Sequence, residues 1–408
     1  MKKSLFIALI LFAAFSCNKP ETEENNPYKP IDLTTKSAQF AEDGNKFSLE
    51  YVERINKFSK EDFIVSPLSM QFLLGMILDG AQGETATEIC NVLGYGEGEV
   101  QEVNEYCKSM LEQLPELDKK TKLTIANAIF VDDGWPLKGA YKADMKTYYG
   151  AKVENLDFND NAGSLKTING WCKDNTAGLI PKVLDEVSPD MLAYLLDAIY
   201  FKSQWEEKFE KGRTSDEDFT AEDGTKVSVR MMKQNKSYRY FENDVFQAVR
   251  IPYGNGAFSM TAILPLKGNT VADAAGSLRK GAWNNVRDGM SKKNVDLWLP
   301  RFETKFHIEL KDILSEMGMP LAFDETKANF KAMSDYALCL SFVQQDAVIK
   351  VDEEGTEAAV VSSAGMVKET AFVPEDPVVF HADHPFLYFI TESSTGAILF
   401  AGRFGNKS

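Results

Sequence analysis

Residues 351–364, Val-Asp-Glu-Glu-Gly-Thr-Glu-Ala-Ala-Val-Val-Ser-Ser-Ala, constrain this chain more than any other stretch. They begin as an acidic strand, pivot at Gly355, and continue as a run of small residues. Side chains in a strand alternate faces, so Thr356, Ala358, Val360, Ser362, Ala364 and Met366 share one side. None of the six is charged and none is proline. Such a face enters a sheet without burying a charge or interrupting a ladder. Glu357 lies on the opposite face, where it stays in water. The run reads as a strand held outside a sheet, followed by a variable segment and an apolar end, Pro385 to Phe400.

The rest of the chain supplies the sheet. Phe47, Tyr51, Ile55 and Phe58 recur at helical spacing, and Ser66-Pro67 opens a second helix as N-cap and first residue. Strands are expected at Thr124–Val131, Tyr194–Phe201, Val227–Met232, Phe246–Ile251, Phe258–Leu264 and Val295–Phe302. A helix is expected over Ile308–Met317, ended by Gly318. A closing hairpin, Pro385–Thr391 with Ala397–Gly402, turns at Ser394-Thr395-Gly396. The fold class is α+β: a helical N-terminal region with large mixed and antiparallel sheets.

Several functions are disfavoured at once. With 45 Lys and Arg against 61 Asp and Glu, the net charge of −16 repels nucleic acid. The three histidines are His307, His381 and His384, and no G-x-S-x-G, H-E-x-x-H or P-loop occurs, so enzyme chemistry has no motif. His384, before Pro385, reads as packed core. Cys90, Cys107, Cys172 and Cys339 lack metal spacing and read as free buried thiols, with a disulfide as the alternative. No metal and no cofactor is expected.

Lys2-Lys3, the apolar run Leu5–Phe15 and Ser16-Cys17 form an export signal. It resembles a bacterial lipoprotein signal over residues 1–16, with Cys17 as the lipidated residue and the lipid bilayer as a partner. The implied location is the cell envelope, on an outer membrane, surface-exposed or periplasmic. Ordinary secretion is the alternative. Residues 17–36, polar and carrying three prolines up to Leu33, read as a disordered tether to a domain at 37–408.

Glu353-Glu354-Gly355-Thr356-Glu357-Ala358-Ala359 resembles the hinge of a serpin, a family of protease inhibitors. Phe63–Ser69, Asn127–Phe130, Asn175–Ile180, Ala198–Lys202 with Trp205, Leu299–Phe302 and Asp383–Phe386 match further serpin segments in order. The resemblance covers nearly all of Ala38 to Phe404. It implies a serpin fold with a reactive-centre loop at about 353–376, and a monomer that traps a protease covalently as the cleaved loop enters the main sheet. Loop insertion is the family's established behaviour and not a deduction from these residues. The implied partners are trypsin-like or elastase-like serine proteases, with cysteine proteases as a second class. A non-inhibitory binding or chaperone protein on the same fold is the alternative.

Family spacing from Glu353 places the cleaved bond at Glu369-Thr370, or one residue earlier at Lys368-Glu369. Lys368 suits trypsin-like pockets and is favoured; Val367 and Met366 suit elastase-like ones. Where serpins usually carry Asn and often His at the point of sheet opening, this chain has Asp197 and Gln345. The resemblance implies that these two bond to each other, near Ser66 and Ser69.

Overall fold

The computed structural model describes residues 26–59, 61–356 and 376–405. In chain order the elements begin α1 (Thr35–Phe58), β1 (Phe63–Val65), α2 (Pro67–Gly80), α3 (Gly83–Leu93), α4 (Val100–Gln113), β2 (Lys122–Asp132), α5 (Gly139–Tyr149), β3 (Lys152–Leu156), α6 (Asn161–Asn175) and β4 (Ala193–Gln204). They continue with β5 (Ser215–Thr220), β6 (Lys226–Glu242), β7 (Phe246–Tyr253), β8 (Phe258–Pro265), α7 (Val271–Ser277), α8 (Trp283–Asp288), β9 (Ser291–Pro300), β10 (Phe302–Glu309) and α9 (Lys311–Met317). The chain closes with β11 (Gln344–Asp352), β12 (Gly355–Thr356), β13 (Val378–His381), β14 (Phe386–Glu392) and β15 (Ile398–Phe404).

Two sheets form. One runs β1-β15-β14-β8-β7-β6-β9-β13, with β5 on β6, and the other β10-β11-β12-β4-β2-β3. The anticipated strands are present except the one over Val295–Phe302, which is divided. The closing hairpin turns on Glu392, whose buried carboxylate accepts from both the backbone and the hydroxyls of Ser394 and Thr395 at 2.7–2.8 Å. These four charge-assisted bonds, with a fifth from Tyr28 Oη at 3.2 Å, hold that carboxylate.

Helix α2 lies under the second sheet and is buried along nearly its whole length. Ser66 caps it, accepting from Ser69 N at 3.2 Å, and Pro67 takes the first position. Phe47, Tyr51 and Ile55 of α1 are core residues, whereas Phe58, in the last turn, is exposed.

Three expectations need correction. Ile308 belongs to β10, and α9 starts only at Lys311. Phe302, Thr304, Phe306 and Ile308 alternate along β10, which pairs β11 over its full length, so ladder bonds override the short helical pattern. The strand expected to run from Val295 to Phe302 is two strands in different sheets, divided at Arg301. Asn26–Leu33, expected to belong to the tether, pack on the body, and Thr35 already begins α1. Ile31 is buried, its N–H bonds Ser394 Oγ at 3.0 Å, and the Asp32 backbone pairs with the Gln113 amide.

Candidate functional site: the hinge and the sheet opening

Strand β11 ends in a turn through Glu353 and Glu354, and the chain reverses into β12. Gly355 and Thr356 then lie antiparallel both to Asp352 and Val351 and to Gln204 and Ser203. The hinge therefore does not wait wholly outside the sheet. Its Gly355 and Thr356 are a strand between β4 and β11, and Thr356 is buried with its hydroxyl 2.6 Å from Tyr253 Oη. The physical reason is local. Asp352 Oδ1 accepts from Glu354 N at 2.9 Å, which closes the turn. At Gly355, with φ of 155°, an added Cβ would stand 2.1 Å from Ser203 O, so glycine alone fits.

The acidic residues of the turn are held by partners the sequence did not announce. Thr214 Oγ1 donates to Glu353 at 2.9 Å, and Lys208 and Lys211 meet Glu354 at 2.7 and 3.0 Å. Hydrogen bonds from Lys208 and then Lys211 lower the Glu354 pKa. Trp205 holds the turn from the other side: Nε1 donates to Asp352 O at 2.8 Å and its N–H to Glu354 O at 3.0 Å. Its ring stacks on Tyr253 at 4.4 Å.

Deeper in the sheet, the expected Asp197–Gln345 bond is not made. Counting down from Thr356, which pairs Val351 and Ser203, sets Gln345 level with Asp197. At β12, however, β4 and β11 are already about 9.6 Å apart, two strand spacings. Each side chain turns instead to the start of α2. Gln345 Oε1 accepts from Ser66 N, and its Nε2 donates to Ser66 O, both at 2.9 Å. Tyr51 Oη adds a bond to Oε1 at 3.3 Å. Asp197 accepts from the Ser69 hydroxyl, and its other oxygen is buried without a partner among the described residues. Burial pushes the Asp197 pKa well above the carboxylate range. One cavity is lined by both residues together with Ser69 and Cys172.

The four cysteines among the described residues are free: Cys90, Cys107 and Cys172 are buried and Cys339 is half-buried. Burial raises the Cys107 and Cys172 thiols to about 12, which leaves them inert. His384 is less enclosed than expected. Burial opposes its charge, but the Asp383 carboxylate at 2.7 Å and Pro265 O at 2.9 Å outweigh it and raise its pKa. Glu357, Ala358, Ala359, Met366, Val367, Lys368, Glu369, Thr370 and Cys17 lie outside the described residues.

This geometry has known relatives. Residues 42–407 match the model of the family described as serpin, serine protease inhibitor. The chain belongs to the serpin family. It is 32% identical to Serpin B6 of Macaca fascicularis over 376 residues, covering 90% of this chain and 99% of that one. Among solved structures, the native state of the thermophilic serpin tengpin superposes with a TM-score of 0.81 at 28% identity, covering 93% and 97% of the two chains. Cleaved Serpin 42Da gives 0.82 at 26% identity, covering 92% and 100%. This serpin thus carries the family's fold, with Asp197 and Gln345 each bonded to the start of α2.

Proposed function

We propose that this serpin is a suicide-substrate inhibitor of serine proteases, with cysteine proteases as a second target class. A protease attacks the segment after the hinge as substrate. The freed hinge extends β12 down between β4 and β11 before the acyl-enzyme is hydrolysed. About fourteen residues at roughly 3.3 Å each would carry the protease on the order of 45 Å. Ladder bonds netting about 1 kcal/mol apiece supply a drive on the order of 10 kcal/mol. We favour the bond after Lys368, with those after Glu369 and Val367 behind it. Cys17 carries a lipid that holds the protein in the cell envelope.

The observation that carries this reading is Thr356. It is the first residue of the uncharged face, and it already stands as a strand residue with its side chain on the core. Incubation with trypsin and with elastase tests it. The expected result is an adduct that survives boiling in detergent, plus a released C-terminal peptide beginning at Glu369. Full recovery of protease activity beside a cleaved chain would instead favour a non-inhibitory binding protein.

A further inference from the structure

Residues 26–33 reach the hinge through one buried carboxylate. Asp118, 1% exposed, stands in the turn ahead of β2. Its Oδ1 accepts from Asn26 Nδ2 at 2.6 Å and from Lys120 N at 2.9 Å, and its Oδ2 accepts from the Thr121 hydroxyl at 2.7 Å. Two more bonds fix Asn26: its Oδ1 accepts from Lys119 N at 3.1 Å, and its backbone O accepts from Asn255 Nδ2 at 3.3 Å.

From Asp118 two routes lead to the hinge. The Thr121 hydroxyl lies 2.6 Å from Ser203 Oγ, and Ser203 pairs with Thr356. The second route runs through Gly254, with φ of 47°, where an added Cβ would stand 1.9 Å from Asp118 Oδ2, so the carboxylate rests on that backbone. Gly254 N donates to Gln204 O at 2.9 Å, and Gln204 pairs with Gly355. Both residues of β4 that pair with β12 are thus tied to Asp118. The carboxylates of the hinge turn, Asp352, Glu353 and Glu354, take other donors: Glu354 N, Thr214, and Lys208 with Lys211.

The rest of the segment is attached elsewhere. Tyr28 Oη donates to Glu392 at 3.2 Å, Ile31 N bonds Ser394 Oγ, and the Asp32 backbone pairs with Gln113. Those contacts hold residues 28–33 on the body, whereas the Asn26 side chain serves the hinge end. A buried carboxylate that loses its shortest charge-assisted donor must shift toward another. Thr121 and Gly254 then shift with it, and the seat of β12 loosens. We propose that Asn26 is a positioning residue of the hinge: through Asp118 it holds the end of β4 where Gly355 and Thr356 pair, and so sets how promptly the rest of the hinge follows after cleavage. The consequence for inhibition rests on the inhibitor reading above; the seating of β12 does not.

Asn26→Asp in the full chain tests this. It is isosteric and keeps the acceptor for Lys119 N, but it sets a carboxylate against Asp118. Tyr28→Phe is the control, because it removes only the bond to the closing hairpin. Hydrogen exchange read by mass spectrometry follows the amides of Gly355 and Thr356 in the uncleaved proteins. Exchange there should be at least about threefold faster in Asn26→Asp and unchanged in Tyr28→Phe. Ser203→Ala cuts one of the two routes, so it should also speed exchange, and combined with Asn26→Asp it should give less than the product of the two separate factors. The number of inhibitor molecules consumed per trypsin should rise at least about twofold in Asn26→Asp. Unchanged exchange in Asn26→Asp, or an equal acceleration in Tyr28→Phe, would overturn the proposal, since the segment would then add only general stability. Faster exchange with unchanged consumption would overturn the part Asn26 plays in inhibition. A parent chain that traps no trypsin would overturn the inhibitor reading, and the exchange rates would still decide the seating.

Discussion

The side-chain amide of Gln345 meets the backbone of Ser66 twice, accepting from its N–H and donating to its carbonyl, each at 2.9 Å. An amide opposite a peptide group reproduces a strand-like pairing, and it fixes β11 to the N-terminus of the helix beneath the sheet. Gln345→Ala leaves the buried Ser66 N–H without its partner and removes the Tyr51 contact. The expected loss is about 2–4 kcal/mol. It should appear as a lower unfolding temperature and as faster conversion to a heat-resistant, loop-inserted form. An unchanged temperature and conversion rate would show that the contact does not guard the opening.

Asp197 makes the opening sensitive to pH. Its folded pKa is raised by burial, so between the ordinary carboxylate value and the folded value the native state holds a proton that the unfolded state has lost. Stability from this group is therefore greatest in acid and declines as pH rises through the folded pKa. Asp197→Asn keeps an oxygen to accept from Ser69 and removes the titration. The variant should gain about 1–3 kcal/mol over the parent at pH 8 and little at pH 4. Urea midpoints at both values check this, and a gain independent of pH would refute the assignment.

Much of this was legible in the sequence, because strands such as Tyr194–Phe201 and Phe258–Leu264 are nearly continuous apolar runs, and the Ser66-Pro67 cap has a strong local cause. What was not legible depends on partners distant in the chain. The helical spacing through Ile308 was real, but pairing with β11 decided that segment. The bond between Asp197 and Gln345 that the family resemblance implied is not made, because a motif match says which residue types stand at two positions and not how far apart their strands stand. The hold on Glu353 and Glu354 by Thr214, Lys208 and Lys211 had no signal, since a lysine on a loop usually means only a solvated surface. Asn26–Leu33 looked like tether by composition, yet Ile31 and Tyr28 bind the closing hairpin.

Gly355 decides whether β12 can form. An alanine Cβ would fall 2.1 Å from the Ser203 carbonyl oxygen, backbone that cannot swing aside. Gly355→Ala should detach residues 355–356 from β4 at a cost of about 1–3 kcal/mol. Trp205, bonded to Asp352 O and stacked on Tyr253, reports the change. Its fluorescence should shift toward a more solvated emission, and complex formation with trypsin should slow. An emission spectrum matching the parent's would show that the turn tolerates a side chain.

Thr356 separates the inhibitor from a mere substrate. Its side chain faces the core, 2.6 Å from Tyr253 Oη and 3% exposed, so every later residue on its face must follow it inward. Thr356→Arg forces a long cation into this buried position, at a cost of several kcal/mol against an insertion drive on the order of 10 kcal/mol. The segment beyond remains cleavable, but insertion should lag behind hydrolysis of the acyl-enzyme. Trypsin should then cut the variant at the parent's bond and leave active, with the number of inhibitor molecules consumed per protease rising at least about tenfold, the factor that 1.4 kcal/mol of lost drive would produce. Titration of residual trypsin activity measures that number. If it stays near the parent's value, entry of this face into the sheet is not what traps the protease.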